Sequence, residues 1–304
     1  MTDIPALLHD LADRWKLDQL TPVGAGLEFS VYRALDRDGR PVALRLARRR
    51  FDANANDPHV DTRALLRQEY AISRHLAAHG FPVAEPLELL LAPDPDAPDV
   101  LLSRFVPDDG SPLDGHALGA LLAGLHRLPP PPDLAPVAAE GLTTRQALLA
   151  RIRRRWSELG RHVDAWPALP PAAAARQLAA LAPAHLVHLD VRSANLRRQE
   201  GRPTALLDWS NLLLGDAALE FGRLAEYARH PENQLDLAAL REGYDRAGGP
   251  TPAPDGEAGA VLACRLDAAL MLALVFLSEA PDPARGPAAV ERVRELAALL
   301  DRAG

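Results

Sequence analysis

The periodicity of the sequence changes near Pro107. Before it, apolar residues sit in short alternating runs bounded by glycine, proline and aspartate; after it, leucine and alanine recur at helical spacing over long stretches. A period of two puts alternate side chains on opposite faces of a sheet, whereas a period near 3.6 gathers them along one stripe of a helix. The chain therefore reads as a strand-rich first third and a helical remainder joined by PDDGSPLDG at 107–115. Its 304 residues suffice for one or two domains. The expected division is 1–106 and 107–304.

Within the first third, Ile4, Leu7, Leu8, Leu11 and Trp15 share one helical face, which predicts a packing helix over 4–17. Gly24 and Gly26 read as a glycine turn feeding a strand within 20–35, with 39–47 returning as its hairpin partner. A helix is predicted over 62–79, strands near 83–90 and 100–106, and a turn at PDPDAPD, 93–99. The remainder predicts helices at 116–128, 145–160, 171–182, 217–229, 234–247, 257–279 and 288–302. Proline-rich stretches at 129–136, 167–171, 248–256 and 280–287 separate them.

A 48% hydrophobic composition supplies a core, and a net charge of -7 argues against a broad basic surface for nucleic acid or an anionic membrane. The apolar run at 268–276 falls short of the roughly 20 residues that span a bilayer. With no basic segment leading an apolar one at the N-terminus, a soluble, cytoplasmic protein is expected. The single cysteine, Cys264, excludes an intramolecular disulfide framework or a thiolate zinc cluster, and its apolar neighbours predict a buried structural thiol. The basic stretch 151–155 reads as a solvated helix face in preference to an anion site. Lys16 is the only lysine, beside 33 arginines.

The chemistry concentrates in HLDVRSANLRR at 188–198 and TALLDWSNLLLGD at 204–216. Each places polar residues directly after a short apolar approach, the arrangement that aims rigid side chains into a cleft. Asp190 suits a proton acceptor, while Asn195 and Asp208 supply the hard oxygen donors that magnesium prefers. Neither a His-Glu-x-x-His zinc motif nor a glycine-bracketed serine is present, and GAGLEFS is not a Walker sequence.

These two segments resemble the catalytic and metal-binding loops of the aminoglycoside phosphotransferase and choline kinase superfamily, relatives of the protein kinases. The glycine-containing hairpin, Arg45, the helix bearing Glu69, the connector after Phe105 and LGALLAGLHRL at 118–128 occur in the family's order, over roughly residues 20–230. The resemblance implies an α+β, two-lobed protein-kinase-like fold, with a small mixed N-terminal lobe, a larger mainly helical C-terminal lobe and a nucleotide between them. It implies magnesium-dependent transfer of the terminal phosphate of ATP or GTP to a hydroxyl of a small polar metabolite or aminoglycoside-like compound. Asp190 would be the catalytic base, Asn195 and Asp208 would hold Mg2+, and Gly24 and Gly26 would let the backbone approach the triphosphate. Arg45, with Glu69 as its partner, would contact phosphate; His188 would buttress the loop, and Asp216 or Glu220 would brace it.

The chain departs from the family at four places, one of them Glu220, which replaces the more usual aspartate downstream of Gly215 and Asp216. Arg45 replaces the usual lysine: either the pocket has adjusted around arginine or phosphate positioning is lost, and retention of Asp190, Asn195 and Asp208 favours adjustment. Leu189 stands where glycine is common, and Arg192 is suited either to a phosphate or anionic substrate or to a salt bridge. The alternatives to a kinase are a weak or inactive nucleotide-binding pseudoenzyme and a kinase-fold interaction protein. Net negative charge mildly favours a cationic acceptor, and Asp236, Asp245 and Glu279 are candidate recognition carboxylates that otherwise read as solvated charges.

Overall fold

The computed structural model describes residues 3–94, 97–179, 181, 185–250 and 260–303. The middle of the 93–99 turn, the end of the 171–182 helix, the start of the 257–279 helix and most of the 248–256 separator lie outside them.

The strand-rich region opens with α1 (Ile4–Trp15), capped by the Asp3 carboxylate, which accepts from the Ala6 N–H. β1 (Asp18–Ala25), β2 (Phe29–Leu35) and β3 (Pro41–Ala47) follow as an antiparallel meander. Two-residue strands β4 (Phe51–Asp52) and β5 (Val60–Asp61) pair and lead into α2 (Thr62–Ala78), and β6 (Pro86–Leu90) and β7 (Val100–Arg104) complete the region. The main sheet is five-stranded, in the order β1-β2-β3-β7-β6. Alternation along β3 decides its two faces. Val42, Leu44 and Leu46 pack with Leu11 and Leu17 beside α1, while Ala47 packs with Phe29, Leu101 and Leu66 of α2. Arg45 lies between Leu44 and Leu46 in sequence and so points to the α2 side.

Residues 105–114 carry neither helix nor strand, and helices dominate thereafter. α3 (Gly115–Arg127), α4 (Thr144–Leu159) and α5 (Ala172–Ala179) precede four short strands. β8 (His185–Val187) pairs with β11 (Leu213–Gly215), and β9 (Leu196–Gln199) with β10 (Arg202–Leu206). α6 (Ala217–Tyr227), α7 (Leu237–Arg246), α8 (Ala260–Leu274) and α9 (Arg285–Ala303) complete the chain. α3 and α7 meet closely enough that a Cβ on Gly119 would fall 2.0 Å from the Leu240 carbonyl oxygen, so the contact requires glycine.

The predicted helices are present with ends displaced by no more than three residues wherever those ends are described, α8 reaching the predicted 279 through a π-helical turn at Val275–Glu279. Gly24 lies inside β1, paired with Val31, so the expected glycine turn begins only at Gly26. The stretch 151–155 departs most from its reading. Arg151 and Arg155 are buried on α4, and only Arg153 has the exposure expected of a solvated face. The apolar run is also longer than its sequence suggested, because Val261–Glu279 forms a continuous helical stretch that meets the length and composition of a membrane span. In this fold 61% of it is buried, and Asp267 and Arg265 within it are ion-paired to Arg151 and Glu226. Those contacts make it the core helix of the larger helical region. Cys264 is buried as predicted, and burial pushes its thiol pKa far up.

Candidate active site

Asp190 follows β8 in a turn that several contacts hold rigid. His188 is fully buried; its Nδ1 accepts from the Asp190 N–H at 3.1 Å and its Nε2 faces the Leu207 carbonyl at 3.0 Å. An acceptor role on one nitrogen and a carbonyl on the other select the Nε2–H tautomer, so this ring is a strut between the two motifs, as expected. Leu189 adopts φ +61, which explains the family's glycine and costs a leucine about 1–2 kcal/mol. The Glu220 carboxylate offsets that strain, accepting from the His188 N–H at 2.6 Å and the Leu189 N–H at 3.0 Å, while the Leu189 side chain fills the core. Burial acts to raise the Glu220 pKa, but His126, His188 and the backbone donors outweigh it and hold it low. Glu220 is thus the brace that the sequence suggested, while Asp216 caps α6 by accepting from the Ala218 N–H.

Asp190 is 8% exposed and its carboxylate carries three donors. Tyr227 O–H donates to Oδ1 at 2.5 Å; Asn195 Nδ2 and Arg192 Nε donate to Oδ2 at 2.6 and 3.2 Å. Arg192 therefore makes the salt bridge that was one of its two readings. Tyr227 was missed by sequence reasoning, since it lies 37 residues beyond Asp190 and only the packing of α6 brings it there. Burial and the Asp190 charge push its pKa far up, so it remains a donor.

The second cluster joins the sheet to the helical region. Arg45 NH2 lies 3.2 Å from Asp208 Oδ1, Arg45 NH1 lies 3.8 Å from Glu69 Oε2, and the guanidinium stacks 4.2 Å from the Phe29 ring. Glu69 is not devoted to Arg45: it also accepts from the Trp209 N–H at 2.7 Å, while Gln68 Nε2 donates to the Trp209 carbonyl at 2.6 Å. Gln68 is a second residue the sequence did not reveal as part of this junction. Burial raises the Glu69 pKa despite Arg45. Burial opposes ionisation of Asp208 too, but Arg45 and the Ser210 hydroxyl bring its pKa down to about 2.

Asp208 adopts φ +66, which aspartate tolerates better than most residues, and caps the turn 209–211. Its side-chain contacts with Arg45 and Ser210 all fall on Oδ1, leaving Oδ2 as a free donor, and Asn195 uses only its Nδ2, leaving its amide oxygen. Among the described residues no three His, Cys, Asp or Glu side chains gather into a metal cage. Two oxygen donors without a cage fit magnesium, which keeps water and phosphate oxygens in its shell.

On the hairpin, the Gly26 N–H donates to the Phe29 carbonyl at 2.8 Å and Arg48 NH1 donates to the Gly26 carbonyl at 3.0 Å. Gly24 pairs with Val31, one strand away from Arg45, and it is the two residues after Gly26, Leu27 and Glu28, that line the cavity beside Asp208. A Cβ on Gly24 would meet nothing within 4 Å, and one on Gly26 only the Phe29 oxygen at 4.0 Å. The fold itself therefore does not require either glycine. We expect Gly24→Val and Gly26→Val to melt as the parent does while binding nucleotide about tenfold more weakly, as a side chain would crowd the phosphates. Equal nucleotide affinity in a calorimetric titration would remove both from the site.

Asp190, Arg192 and Asp208 line one cavity of about 490 Å³. Glu279 lines it as well and accepts from the Asn56 backbone and side-chain N–H groups, whereas Asp236 caps α7 and Asp245 is exposed. A five-stranded antiparallel sheet, a helix that sends a carboxylate beneath it, and two acidic loops on a helical base define a kinase-like phosphotransferase. The chain belongs to the phosphotransferase enzyme family, whose model matches residues 19–259.

Solved structures agree in fold. Aminoglycoside phosphotransferase APH(4)-Ia superposes with a TM-score of 0.68 at 17% identity, covering 97% of this chain and 99% of that one. A thermostable mutant of that enzyme, in ternary complex with AMP-PNP and hygromycin B, gives 0.65 at 18% identity over 96% and 97%. Macrolide 2'-phosphotransferase MphH from Brachybacterium faecium gives 0.55 at 22% identity over 94% and 97%. A comparison with curated protein sequences gave no match.

Proposed function

We propose that this protein transfers the terminal phosphate of ATP or GTP, with Mg2+, to a hydroxyl of a small polar molecule. The observation that carries the reading is the placement of Asp190 and Asp208 on one cavity, the first in a shell of donors and the second joined to Arg45. Oδ2 of Asp190 holds two donors and Oδ1 holds one, so Oδ1 keeps a lone pair for the acceptor hydroxyl and takes its proton. Tyr227, Asn195 and Arg192 keep that carboxylate ionised and aimed. Asn195 and Asp208 would hold magnesium, which when bound neutralises charge on the phosphate oxygens.

Arg45 supports adjustment of the pocket over loss of function. Its fork reaches Asp208 and Glu69 at once while its plane lies on Phe29, an arrangement that a lysine ammonium does not reproduce. A cytoplasmic site of action, where nucleoside triphosphates are held, fits the same reading.

Calorimetric titration with ATP and GTP, with and without magnesium, tests the proposal. The expected result is magnesium-dependent binding of at least one nucleotide with Kd below about 1 mM. No binding of either would leave a kinase fold without a kinase's substrate, and the proposal would be abandoned.

A further inference from the structure

Arg223 is a buried cation that no acceptor contacts among the described residues, although Asp267, Asp190 and Glu220 attract it from farther off. It lies on α6, 3% exposed, in the wall of the Asp190 cavity and one turn before Tyr227, so both side chains emerge on the same helix face. Among the described residues it makes no hydrogen bond and no carboxylate lies within 4 Å of it; its NH1 is fully enclosed without an acceptor. The one contact it makes through its guanidinium is with the Tyr227 ring, 5.7 Å from its centroid. A guanidinium does not shed its proton to escape burial, so such a group calls for an anion.

Its surroundings add positive charge. Arg151 and Arg155 of α4 share one buried carboxylate, Asp267 of α8, at 2.6–2.9 Å, so Asp267 is already committed to two guanidiniums and does not contact Arg223. Arg155 Nε also has no acceptor. Burial, with Arg151, Arg223 and Arg154 crowding it against the pull of Asp267, brings the Arg155 pKa down to about 9, which leaves it charged at neutral pH. Four carboxylates on the same cavity wall are engaged elsewhere, Asp61 with Arg50, Glu140 with Arg154, Glu232 with Arg285 and Glu279 with Asn56, while Glu28 lines the cavity with its pKa raised by burial.

We infer that the phosphoryl acceptor is an anion, a small hydroxyl compound whose carboxylate or phosphate group pairs with Arg223 while its hydroxyl lies at Asp190. The inference rests on the kinase reading of Asp190. It reverses the expectation drawn from the chain's net charge of -7, because the guanidinium of Arg223 on the cavity wall has no acceptor in contact with it and a cationic ligand supplies none. Triphosphate recognition belongs instead to Arg45, beside Asp208.

The test is calorimetric titration of the full-length protein, saturated with magnesium AMP-PNP, with malonate, inorganic phosphate and hygromycin B separately. Wild type, Arg223→Met and Arg223→Lys are compared. We expect malonate or phosphate to bind the wild type, the responding anion identifying the acceptor's acidic group, and Arg223→Met to weaken it at least tenfold while Arg223→Lys retains most of it. Removing an unpaired buried charge should leave the Tm of ligand-free Arg223→Met equal to the parent's or higher, whereas a structural arginine would lower it. Tighter binding of hygromycin B than of either anion, anion affinity untouched by Arg223→Met, or loss of AMP-PNP affinity in that variant would each overturn the inference. Failure of AMP-PNP to bind the wild type would count against the kinase reading itself, while AMP-PNP binding without anion binding would count against this inference alone.

Discussion

Asp190→Asn should reduce kcat by about 10²–10⁴-fold with nucleotide affinity close to the parent's. The carboxylate touches neither Arg45 nor Asp208 in any contact described, and its three donors come from Tyr227, Asn195 and Arg192. An amide keeps one acceptor oxygen but loses the basic one, so it can hold the loop without taking the acceptor's proton. It also turns an N–H toward a neighbour that is itself a donor, which should lower stability by about 1–3 kcal/mol. Steady-state kinetics with any competent acceptor, alongside thermal unfolding, separate the two effects. A kcat within a few-fold of the parent's would remove Asp190 from proton transfer.

Asp208→Asn should cost at least about tenfold in nucleotide affinity with magnesium present, or about 1.4 kcal/mol. Asparagine is chosen because residue 208 sits at φ +66, where an alanine would add backbone strain to the loss of the ligand. Without magnesium the sign should change: Arg45, released from the carboxylate at 3.2 Å, becomes free for phosphate, and the variant should bind nucleotide as well as the parent or better. Parallel titrations with and without the metal read both. Because the Asp208 pKa is held near 2, the carboxylate stays ionised throughout the neutral and mildly acidic range. The stability that its ion pair contributes is present above the unfolded pKa near 4 and is lost only as pH falls through about 2. A magnesium-dependent affinity equal to the parent's in Asp208→Asn would remove the metal role.

Local pattern carried most of the secondary structure and the two acidic motifs. The 188–198 and 204–216 segments were legible because each compresses an apolar strand, a turn and its polar residues into about a dozen positions, so sequence order and spatial order coincide. The brace was legible only as a choice between Asp216 and Glu220, and packing decided it, Asp216 capping α6 while Glu220 accepts from the His188 and Leu189 N–H groups. Gln68 and Tyr227 were not legible. Each reaches its partner across a separation of 141 or 37 residues, and neither residue type is marked by a local pattern.

The sequence by itself determined the order of strands and helices and the positions of Asp190, Asn195 and Asp208; that Leu189 takes a left-handed turn, held there by Glu220, came from the tertiary structure. Only the tertiary structure decided which arginines are buried beside the Asp190 cavity. On α4 taken alone, Arg151, Arg154 and Arg155 read as a hydrated surface, because helical periodicity says which residues share a face and not what that face meets. Packing against α6 and α8 buries Arg151 and Arg155 on Asp267 and sets Arg223 near Asp267, Asp190 and Glu220, and charges removed from water act on one another far more strongly than the same charges spread over a surface.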